Sequence, residues 1–247
     1  MIQTHDGANL DPENVDVAIL CGGLGTRLNL GEDAPPKPMA ELNDRPFLDL
    51  LIDYISGFGF RRFILCSGFK SRAIESYYKK KGGGRVYLVS HEPKPLGTGG
   101  ALKNAETLIS SGRVLVCNGD SICQVDLLDF LNYHAKNNAD ITVALTAMPD
   151  PGDYGVTRLD ADGRVINFLE KGQAQGPALV NAGVYVMDRS ALAQIPGDAK
   201  ISLEYEVFPR FVKRRFFGYV TDAPLIDIGT PERLESARKF FSKSNEL

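Results

Sequence analysis

The first half of this chain alternates short apolar runs with segments of helical spacing, and this alternation constrains the fold more than any other feature. Val15 to Leu20 is an apolar run that stops at a glycine cluster, as a buried parallel strand does. Phe47 to Phe58 has apolar residues at helical spacing and is followed by Gly59. The same pattern predicts strands at Arg62 to Cys66, Val86 to Val89 and Arg113 to Cys117, and helices at Ser71 to Lys80 and Gly99 to Ile109. This order predicts parallel strands with helices on both faces, and such a sheet binds ligands at the carboxyl ends of its strands.

The second half has a different pattern, in which predicted strands follow one another through turns. Asp160-Ala161-Asp162-Gly163 is a hairpin turn signal between two strand-like segments. The predicted elements are a helix at Asp126 to Asn137, strands at Ile141 to Ala147, Gly155 to Leu159, Arg164 to Leu169 and Ala178 to Met187, and helices at Leu203 to Lys213 and Pro231 to Ser242. We expect an α/β fold with a mostly parallel mixed sheet, in a single domain of residues 1–247 whose two halves meet near residue 125.

Composition excludes several kinds of partner. The net charge is −3, and the only compact basic runs are the triplets at 79–81 and 213–215, which are typical of solvated helix ends. No stretch approaches the roughly 18 apolar residues of a membrane span. The segment Met1 to Asn14 is polar, without a basic leader, and the four cysteines form no CxxC pair. We expect a cytoplasmic, disulfide-free protein that binds neither nucleic acid nor membrane.

A glycine-rich loop follows the first predicted strand directly. Gly22, Gly23 and Gly25 allow backbone amides to approach a phosphate chain that a Cβ would block. A Walker loop would end in Gly-Lys-Ser/Thr, but this loop continues Thr26-Arg27-Leu28. A dinucleotide fingerprint would need a third glycine, where Leu28 stands. The remaining interpretations are another kind of phosphate loop or an ordinary strand-to-helix turn.

Two cations add specificity to this loop. Arg27 has a fixed charge that can bridge phosphate oxygens. Lys37 follows ten residues later inside Pro35-Pro36-Lys37-Pro38, where the flanking prolines stiffen the backbone.

At these residues the chain resembles the sugar nucleotidyltransferases. The resemblance rests on Gly22-Gly23-Leu24-Gly25-Thr26-Arg27-Leu28 followed by Pro36-Lys37-Pro38-Met39, and the segments that follow extend it over nearly the whole chain. It implies a Rossmann-like fold, with residues of about 15–125 binding the nucleotide and 126–247 binding the sugar. It also implies that Gly22, Gly23, Gly25 and Thr26 wrap the triphosphate. Arg27 and Lys37 would then be catalytic, neutralising charge at the α-phosphorus. Cys21 departs from the alanine of many relatives, and the loop before Lys37 is acidic, which leaves its fit to a triphosphate open.

A second glycine-rich segment, Leu96-Gly97-Thr98-Gly99-Gly100, opens a predicted helix. Such an entrance offers free N–H groups to a base edge or a phosphate. The resemblance implies that this segment binds the nucleotide through Gly97, Thr98 and Gly100, with the nucleobase against the two glycines. Glu92 would read the edge of the base.

Two aspartates are candidate Mg²⁺ ligands. Asp120 follows the fourth strand, where a doubly wound sheet places its chemistry, and oxygen is the ligand that Mg²⁺ prefers. Asp227 lies between two isoleucines, so it either pairs with a cation or caps the helix that starts near Thr230. The resemblance favours the metal role for Asp227 and a Mg²⁺ cofactor.

The sugar side is implied by the resemblance alone. Its polar residues are embedded in the strand-rich half, in the order that the family shows. The implied sugar-phosphate ligands are Asp120, Tyr154, Gly155, Glu170, Lys171 and Asn181. Ser202-Leu203-Glu204 also resembles a family segment, but no role for Glu204 follows.

The implied reaction is attack by a sugar 1-phosphate oxygen on the α-phosphorus of an NTP, with release of pyrophosphate. The resemblance is closest to the D-glycero-D-manno-heptose 1-phosphate guanylyltransferases, which implies GTP and that heptose phosphate as substrates. Mannose-1-phosphate guanylyltransferases and uridylyl- or cytidylyltransferases are the alternatives. The oligomeric state stays open, a homodimer included.

Two other classes of protein fit the sequence less well. A non-catalytic sugar-nucleotide sensor on the same fold would be expected to have lost Lys37, Asp120 or Asp227, and all three are present. A nicotinamide-dependent oxidoreductase would have an acidic residue at the end of the second strand, where Cys66-Ser67 stands.

Overall fold

A nine-stranded mixed sheet is the centre of the molecule in the computed structural model, which describes residues 11–23, 35–68, 70–169 and 176–243. The described strands are β1 (Asp16–Leu20), β2 (Glu41–Leu42), β3 (Arg45–Pro46), β4 (Arg62–Ser67), β5 (Val86–His91), β6 (Arg113–Asn118), β7 (Ser121–Cys123), β8 (Ile141–Met148), β9 (Val156–Leu159), β10 (Val165–Leu169), β11 (Ala178–Asp188), β12 (Phe216–Thr221) and β13 (Leu225–Asp227). The described α-helices are α1 (Phe47–Gly57), α2 (Ser71–Tyr78), α3 (Gly97–Asn104), α4 (Leu127–Lys136), α5 (Arg189–Leu192), α6 (Phe208–Phe211) and α7 (Pro231–Lys243). None of these helices is long and apolar enough to cross a bilayer.

The sheet is parallel in its first half and mixed in its second. Its path is β10-β9-β11-β6-β1-β4-β5, and β8 pairs with both β11 and β12. Strands β6, β1, β4 and β5 run parallel, whereas β11 runs antiparallel to β6 and joins the two halves into one sheet. The predicted α/β class with a mixed sheet is confirmed.

Helices cover both faces because successive strand residues point to opposite sides. In β1, Val17 and Ile19 belong to one apolar cluster and Ala18 belongs to the other. The first cluster takes its helical residues from α1, α2, α4 and α7, and the second takes them from α3, α5 and α6. The apolar runs of β1, β4 and β6 are therefore buried on both faces, whereas β5 at the end of the sheet is only partly buried.

Two of the predicted helices differ from the observed elements by more than two residues. Helix α3 ends at Asn104 and is followed by a 3₁₀ turn at Glu106–Leu108, where we expected one helix to Ile109. The helix expected over Leu203 to Lys213 is a π-helical turn at Leu203–Val207 followed by the single turn of α6. In the π turn, the N–H groups of Glu206 and Val207 both donate to the carbonyl of Ser202 at 3.2 Å.

A two-stranded ribbon outside the main sheet positions part of the site. Strand β7 follows β6 after one turn and pairs antiparallel with β13, with Asp227 opposite Ser121. The N–H of Ile228 donates to the carbonyl of Asp120 at 3.0 Å. Because of this ribbon, a residue near the end of β6 and a residue more than a hundred positions later lie side by side.

Candidate active site

A cavity of about 770 Å³ lies at the carboxyl ends of the central parallel strands. This is the position at which an open α/β sheet binds ligands. One wall is made by residues that follow β1, β5 and β6, and a second wall includes Asn181, Ala182 and Gly183 of β11, the strand that pairs with β6. Of the residues proposed from the sequence and described by the structure, the following line it: Gly22, Gly23, Lys37, Glu92, Gly97, Thr98, Asp120, Tyr154, Gly155, Asn181 and Asp227.

Five of the proposed residues lie outside the described residues. They are Gly25, Thr26, Arg27, Glu170 and Lys171.

Gly22 lies in close contact with Glu92. A Cβ at Gly22 would collide with the Glu92 carboxyl group, so a larger residue would force that side chain to move. A Cβ at Gly23 would meet no described residue within 4 Å. The first glycine of the loop therefore serves the local packing, and the second leaves backbone open to the cavity.

Lys37 and Asp120 form an ion pair at the wall of the cavity. Lys37 begins a 3₁₀ turn, Lys37–Met39, and its Nζ donates to Asp120 Oδ2 at 2.5 Å. The lysine side chain is 11% exposed and the aspartate side chain is 42% exposed. A nearly buried ammonium on this wall is a fixed positive charge for a phosphate bound in the cavity.

Asp227 is held by several donors. Its Oδ1 accepts from the N–H of Gly229 at 2.7 Å and from Arg233 at 3.4 Å, and its Oδ2 accepts from the hydroxyl of Tyr154. Of the two interpretations left open by the sequence, the structure shows pairing with a cation. The hydroxyl of Thr230 accepts from the N–H of Arg233 at 3.3 Å and so caps α7.

Arg233 links the carboxylates at this corner of the cavity. Its guanidinium lies 4.6 Å from the centre of the Tyr154 ring and donates to Asp153 as well as to Asp227. Burial, together with the hydrogen bond to Asp227, raises the pKa of the Tyr154 hydroxyl far above its ordinary value. Tyr154 therefore acts here as a hydrogen-bond donor and not as a base.

The entrance to α3 is built differently from the expectation. The N–H groups of Gly99 and Gly100 both donate to the carbonyl of Ile201, at 2.9 and 3.1 Å. A Cβ at Gly97, whose φ is +71°, would lie 2.5 Å from that same carbonyl oxygen. The expectation that Gly99 and Gly100 offer free N–H groups to a ligand was wrong, because the chain at Ile201 takes them.

Gly100 has an implied nucleotide-binding role that stays a prediction. It is buried and is not among the described residues that line the cavity. A Cβ at this position would lie 2.6 Å from the carbonyl oxygen of Ala199. Gly100 therefore permits close packing of two backbone segments.

Within the described ranges, one carboxylate oxygen of Glu92 accepts no hydrogen bond from the protein. Its Oε2 accepts from the N–H of Leu96 at 3.0 Å, whereas Oε1 is buried and has no hydrogen-bond partner among the described residues. Burial raises the pKa of the Glu92 carboxyl group. A buried acceptor without a partner, at the wall of a cavity, indicates a place where a ligand donates hydrogen bonds.

Asn181 is oriented by hydrogen bonds to its neighbours Gly155 and Gly183. Its N–H donates to the carbonyl of Gly155 at 3.0 Å, and its side-chain Oδ1 accepts from the N–H of Gly183 at 2.9 Å. Gly183 has a φ of +73° and lies where the pairing of β11 with β8 shifts register. The irregular strand keeps this amide facing the cavity.

Cys21 lines the cavity but has no nucleophilic role. Burial, with the nearby Cys66 and the carboxylates of Asp120 and Glu92, raises the pKa of its thiol well above the ordinary value. The thiolate is the reactive form of cysteine, and these surroundings disfavour it.

The described cavity wall has more acidic than basic side chains. Its carboxylates are Glu92, Asp120, Asp153, Glu204 and Asp227, and its cations are Lys37, Lys200 and Arg233. No group of three or more His, Cys, Asp or Glu side chains that could hold a metal ion occurs within the described ranges. Asp120 and Asp227 nevertheless suit Mg²⁺, which typically takes one or two carboxylates and completes its shell with water and substrate phosphates.

Sequence reasoning missed Arg233, Asp153 and Lys200 as cavity residues. Arg233 lies in the first turn of α7, a helix whose start the sequence predicts. Nothing in the local pattern shows that it pairs with Asp153, in a loop eighty residues earlier. Glu204 was noted without a role, and the structure places it on the cavity wall.

Comparison with known proteins agrees with this geometry. A family model described as nucleotidyl transferase matches residues 17–244. The chain therefore belongs to the nucleotidyl transferase family, and it is an enzyme of that class. The resemblance inferred from the two motifs is confirmed.

Individual relatives are similar along most of the chain. A D-glycero-alpha-D-manno-heptose 1-phosphate guanylyltransferase from Aneurinibacillus thermoaerophilus is 36% identical over 91% of this chain and 97% of its own length. A mannose-1-phosphate guanylyltransferase from Mycobacterium tuberculosis is 35% identical, and this chain spans 62% of its length. The crystal structure of HddC from Yersinia pseudotuberculosis, complexed with GMP-PN, superposes with a TM-score of 0.82 at 35% identity, covering 92% of this chain and 99% of that one.

Proposed function

We propose that this enzyme transfers a guanylyl group from GTP to a sugar 1-phosphate, with D-glycero-D-manno-heptose 1-phosphate as the preferred acceptor, and releases pyrophosphate. The guanylyltransferase relatives at 35–36% identity support the reaction class. The heptose assignment is supported by a relative that this chain covers at 97% of its length.

The choice of base rests on the Glu92 carboxylate at the cavity wall, whose Oε1 accepts no hydrogen bond from the described residues. Guanine has two adjacent donors, N1–H and the N2 amino group, and a carboxylate accepts both at once. Uracil, thymine, cytosine and adenine lack such a pair of adjacent donors. Glu92 lies beside Gly22, at the start of the glycine loop. A carboxylate in this position therefore favours guanine over the other bases.

The chemistry needs positioning and charge compensation more than proton transfer. The attacking sugar phosphate is already anionic, so no general base is required. Lys37 compensates negative charge on the nucleotide side, and Arg27 would share this task. On the sugar side, Asn181, Tyr154 and Gly155, together with Glu170 and Lys171, would orient the acceptor for attack in line with the leaving pyrophosphate.

Asp120 and Asp227 would hold Mg²⁺. The excess of carboxylates on the described wall of a cavity that must accept two polyanions supports this assignment. When bound, Mg²⁺ supplies charge neutralisation at the triphosphate. The cytoplasmic location, the absence of nucleic-acid and membrane partners, the homodimer and the single-domain division at about residue 125 stay predictions.

The test is pyrophosphate release across a matrix of four NTPs and several sugar 1-phosphates, with and without Mg²⁺. We expect the highest kcat/KM with GTP and the heptose phosphate, and no turnover without a divalent cation. Turnover with mannose 1-phosphate alone would replace the acceptor, and a higher kcat/KM with UTP, CTP or dTTP than with GTP would reject the guanylyl assignment. Tight nucleotide binding without turnover of any pair would favour the sensor.

A further inference from the structure

The carboxylate of Glu204 connects two walls of the cavity. We call the wall with Thr98 the nucleotide wall and the wall with Asn181 the sugar wall. Glu204 Oε2 accepts from the hydroxyl of Thr98 at 3.0 Å, and Thr98 is on the nucleotide wall. Its Oε1 accepts from the hydroxyl of Tyr185 at 3.3 Å, which is bonded to Asn181 on the sugar wall. Ser202 gives a third hydrogen bond, to Oε2 at 2.8 Å.

A carboxylate only accepts hydrogen bonds, so the hydroxyl groups of Thr98 and Tyr185 must both donate to Glu204. The Thr98 hydroxyl accepts from the N–H of Leu203 at 2.8 Å, so its single proton goes to Glu204. The Tyr185 hydroxyl accepts from the side-chain amide of Asn181 at 2.9 Å, so its proton also goes to Glu204.

The sugar-side arm of the network fixes Asn181 at both ends of its amide. Its Nδ2 donates to Tyr185, and its Oδ1 accepts from the N–H of Gly183. Tyr185 is fully buried, and burial together with Glu204 raises the pKa of its hydroxyl well above the ordinary value, which keeps it a donor. A carboxylate acceptor at position 204 thus sets which face of the Asn181 amide the cavity receives.

The backbone around Glu204 is unusual for a helix. Glu204 lies in the π-helical turn Leu203–Val207, and such turns in proteins are frequently found at functional sites. The preceding segment is tied to the entrance of α3, because Ile201 exchanges hydrogen bonds with Leu96, Gly99 and Gly100. Glu204 is therefore placed by the same contacts that hold the nucleotide wall.

We propose that Glu204 is a positioning residue that orients Thr98 for the nucleotide and Asn181 for the sugar phosphate through one hydrogen-bond network. The proposal rests on the proposed function for the identity of the two walls. Through this network, one carboxylate adjusts the affinity for both substrates.

The test compares four variants by their KM values for the two substrates, with the NTP and acceptor that the wild type uses best. Glu204→Gln keeps the shape but turns one acceptor oxygen into a donor. Thr98→Val and Tyr185→Phe each cut one arm. Glu206→Gln is the matched control, since Glu206 is on the same turn and its carboxylate accepts from the N–H of Ser202. Thermal unfolding of each variant reports its stability.

We expect Glu204→Gln to raise both KM values roughly tenfold, because each lost hydrogen bond to a charged group changes an equilibrium by about this factor. Thr98→Val should raise mainly the KM for the NTP, Tyr185→Phe mainly the KM for the acceptor, and Glu206→Gln neither. If Glu204→Gln lowers the melting temperature but leaves both KM values as in the control, Glu204 is only structural and the proposal is overturned. A rise in one KM alone also overturns it.

A double-mutant cycle keeps the proposal testable if Glu204→Gln does not fold. Thr98→Val and Tyr185→Phe should be non-additive in kcat/KM, because both hydroxyls bind the same carboxylate. Additive effects would contradict the network. A different best base or sugar changes only the substrates used. If the wild type turns over no pair, calorimetric affinities of the same variants for GTP and for mannose 1-phosphate replace the KM values and are judged by the same pattern.

Discussion

Lys37 is held between two prolines, and its ammonium lies 2.5 Å from Asp120 Oδ2. A proline on each side limits the backbone of the lysine, so little conformational freedom remains to be lost when a phosphate binds. Asp120 keeps this ammonium on the cavity wall. The pair illustrates how a single side chain can be presented in advance of the substrate.

Replacing Lys37 by methionine should lower kcat/KM by about 100-fold or more, because a preorganised cation that stabilises transition-state charge typically contributes this much. Pyrophosphate release measures the effect. Lys239→Met is the matched control, since the Lys239 side chain is 73% exposed on α7 and faces Glu235. Wild-type activity of Lys37→Met would remove Lys37 from the catalytic assignment.

Replacing Glu92 by glutamine should raise the KM for GTP about tenfold, because an amide group meets the N1–H and N2 amino donors with a donor of its own. The KM for UTP should change little. Glu75→Gln on α2 serves as control, because Glu75 lies on the surface beside His91. An equal rise in the KM for GTP and UTP would show that Glu92 supports the loop and does not read the base.

At the scale of elements, α4 is fixed to the sheet by a buried histidine. His134 is fully buried, and its Nδ1 lies 2.8 Å from the hydroxyl of Thr142 on β8. Its Nε2 lies 3.2 Å from Asp188 at the end of β11, which also pairs with Arg113. Burial lowers the pKa of His134 below its ordinary value. Burial raises the pKa of Asp188, but the hydrogen bonds and opposite charges of His134 and Arg113 together outweigh burial and lower this pKa.

A lowered pKa for His134 predicts a loss of stability in acid. The unfolded chain binds this proton at about pH 6.5, the folded chain only at lower pH, so the contribution is present above pH 6.5 and is lost as the pH falls. Urea unfolding between pH 8 and pH 5 should show the free energy of unfolding decreasing below pH 6.5, by at most about 1.4 kcal/mol per pH unit from this group. In His134→Gln the decrease should be smaller, and in His91→Gln it should match the wild type. An unchanged slope in His134→Gln would contradict the assignment.

The elements that the sequence predicts are those with a strong local signal. Strands such as β4 and β6 are buried on both faces, so their apolar runs stand out, and the turn before β10 carries Asp-Gly. The short strands β7 and β13 have three residues each, too few for any periodicity. The π turn at 203–207 differs from an α-helix only in hydrogen bonding, which a hydrophobic pattern does not report.

The candidate site follows the same division. Residues that belong to a contiguous motif, such as Gly22, Lys37 and Asp120, could be named from the sequence, and they line one cavity. Arg233 could not be named from the sequence, because only its contacts with Asp153 and Asp227 show that it belongs to the site. The N–H groups of Gly99 and Gly100 were assigned to a ligand because no local signal shows that Ile201 reaches them.

At the scale of the whole molecule, α7 holds the two sides of the site together. The helix buries Leu234, Ala237 and Phe241 in the first apolar cluster. Its Arg238 donates to the carbonyl of Glu41 on β2. From the same helix, Arg233 reaches the loop before β9. The helix thus joins the segment that follows Lys37 to the loop that carries Asp153.

Replacing Arg233 by methionine should raise the KM for the sugar phosphate roughly tenfold, because Asp153 and Asp227 lose their shared cation and repel an anionic substrate. The melting temperature should change less than in Leu234→Ala, which opens a cavity in the core and should cost about 2–5 kcal/mol. Steady-state kinetics and thermal unfolding of both variants separate the two effects. An unchanged KM for the sugar phosphate in Arg233→Met would show that the arginine contributes only to packing.

The ribbon of β7 and β13 has a consequence for protein synthesis. Asp120 and Asp227 are 107 residues apart in the chain, so a ribosome working at roughly 5–20 residues per second adds the second aspartate about 5–20 s after the first. During that interval the nascent first half can form its parallel strands, but β7 has no β13 to pair with and Asp120 has no Asp227 beside it. The emerging chain therefore cannot complete this ribbon, or bring Asp227 next to Asp120, until almost all of this sequence has been translated, however early its first half folds.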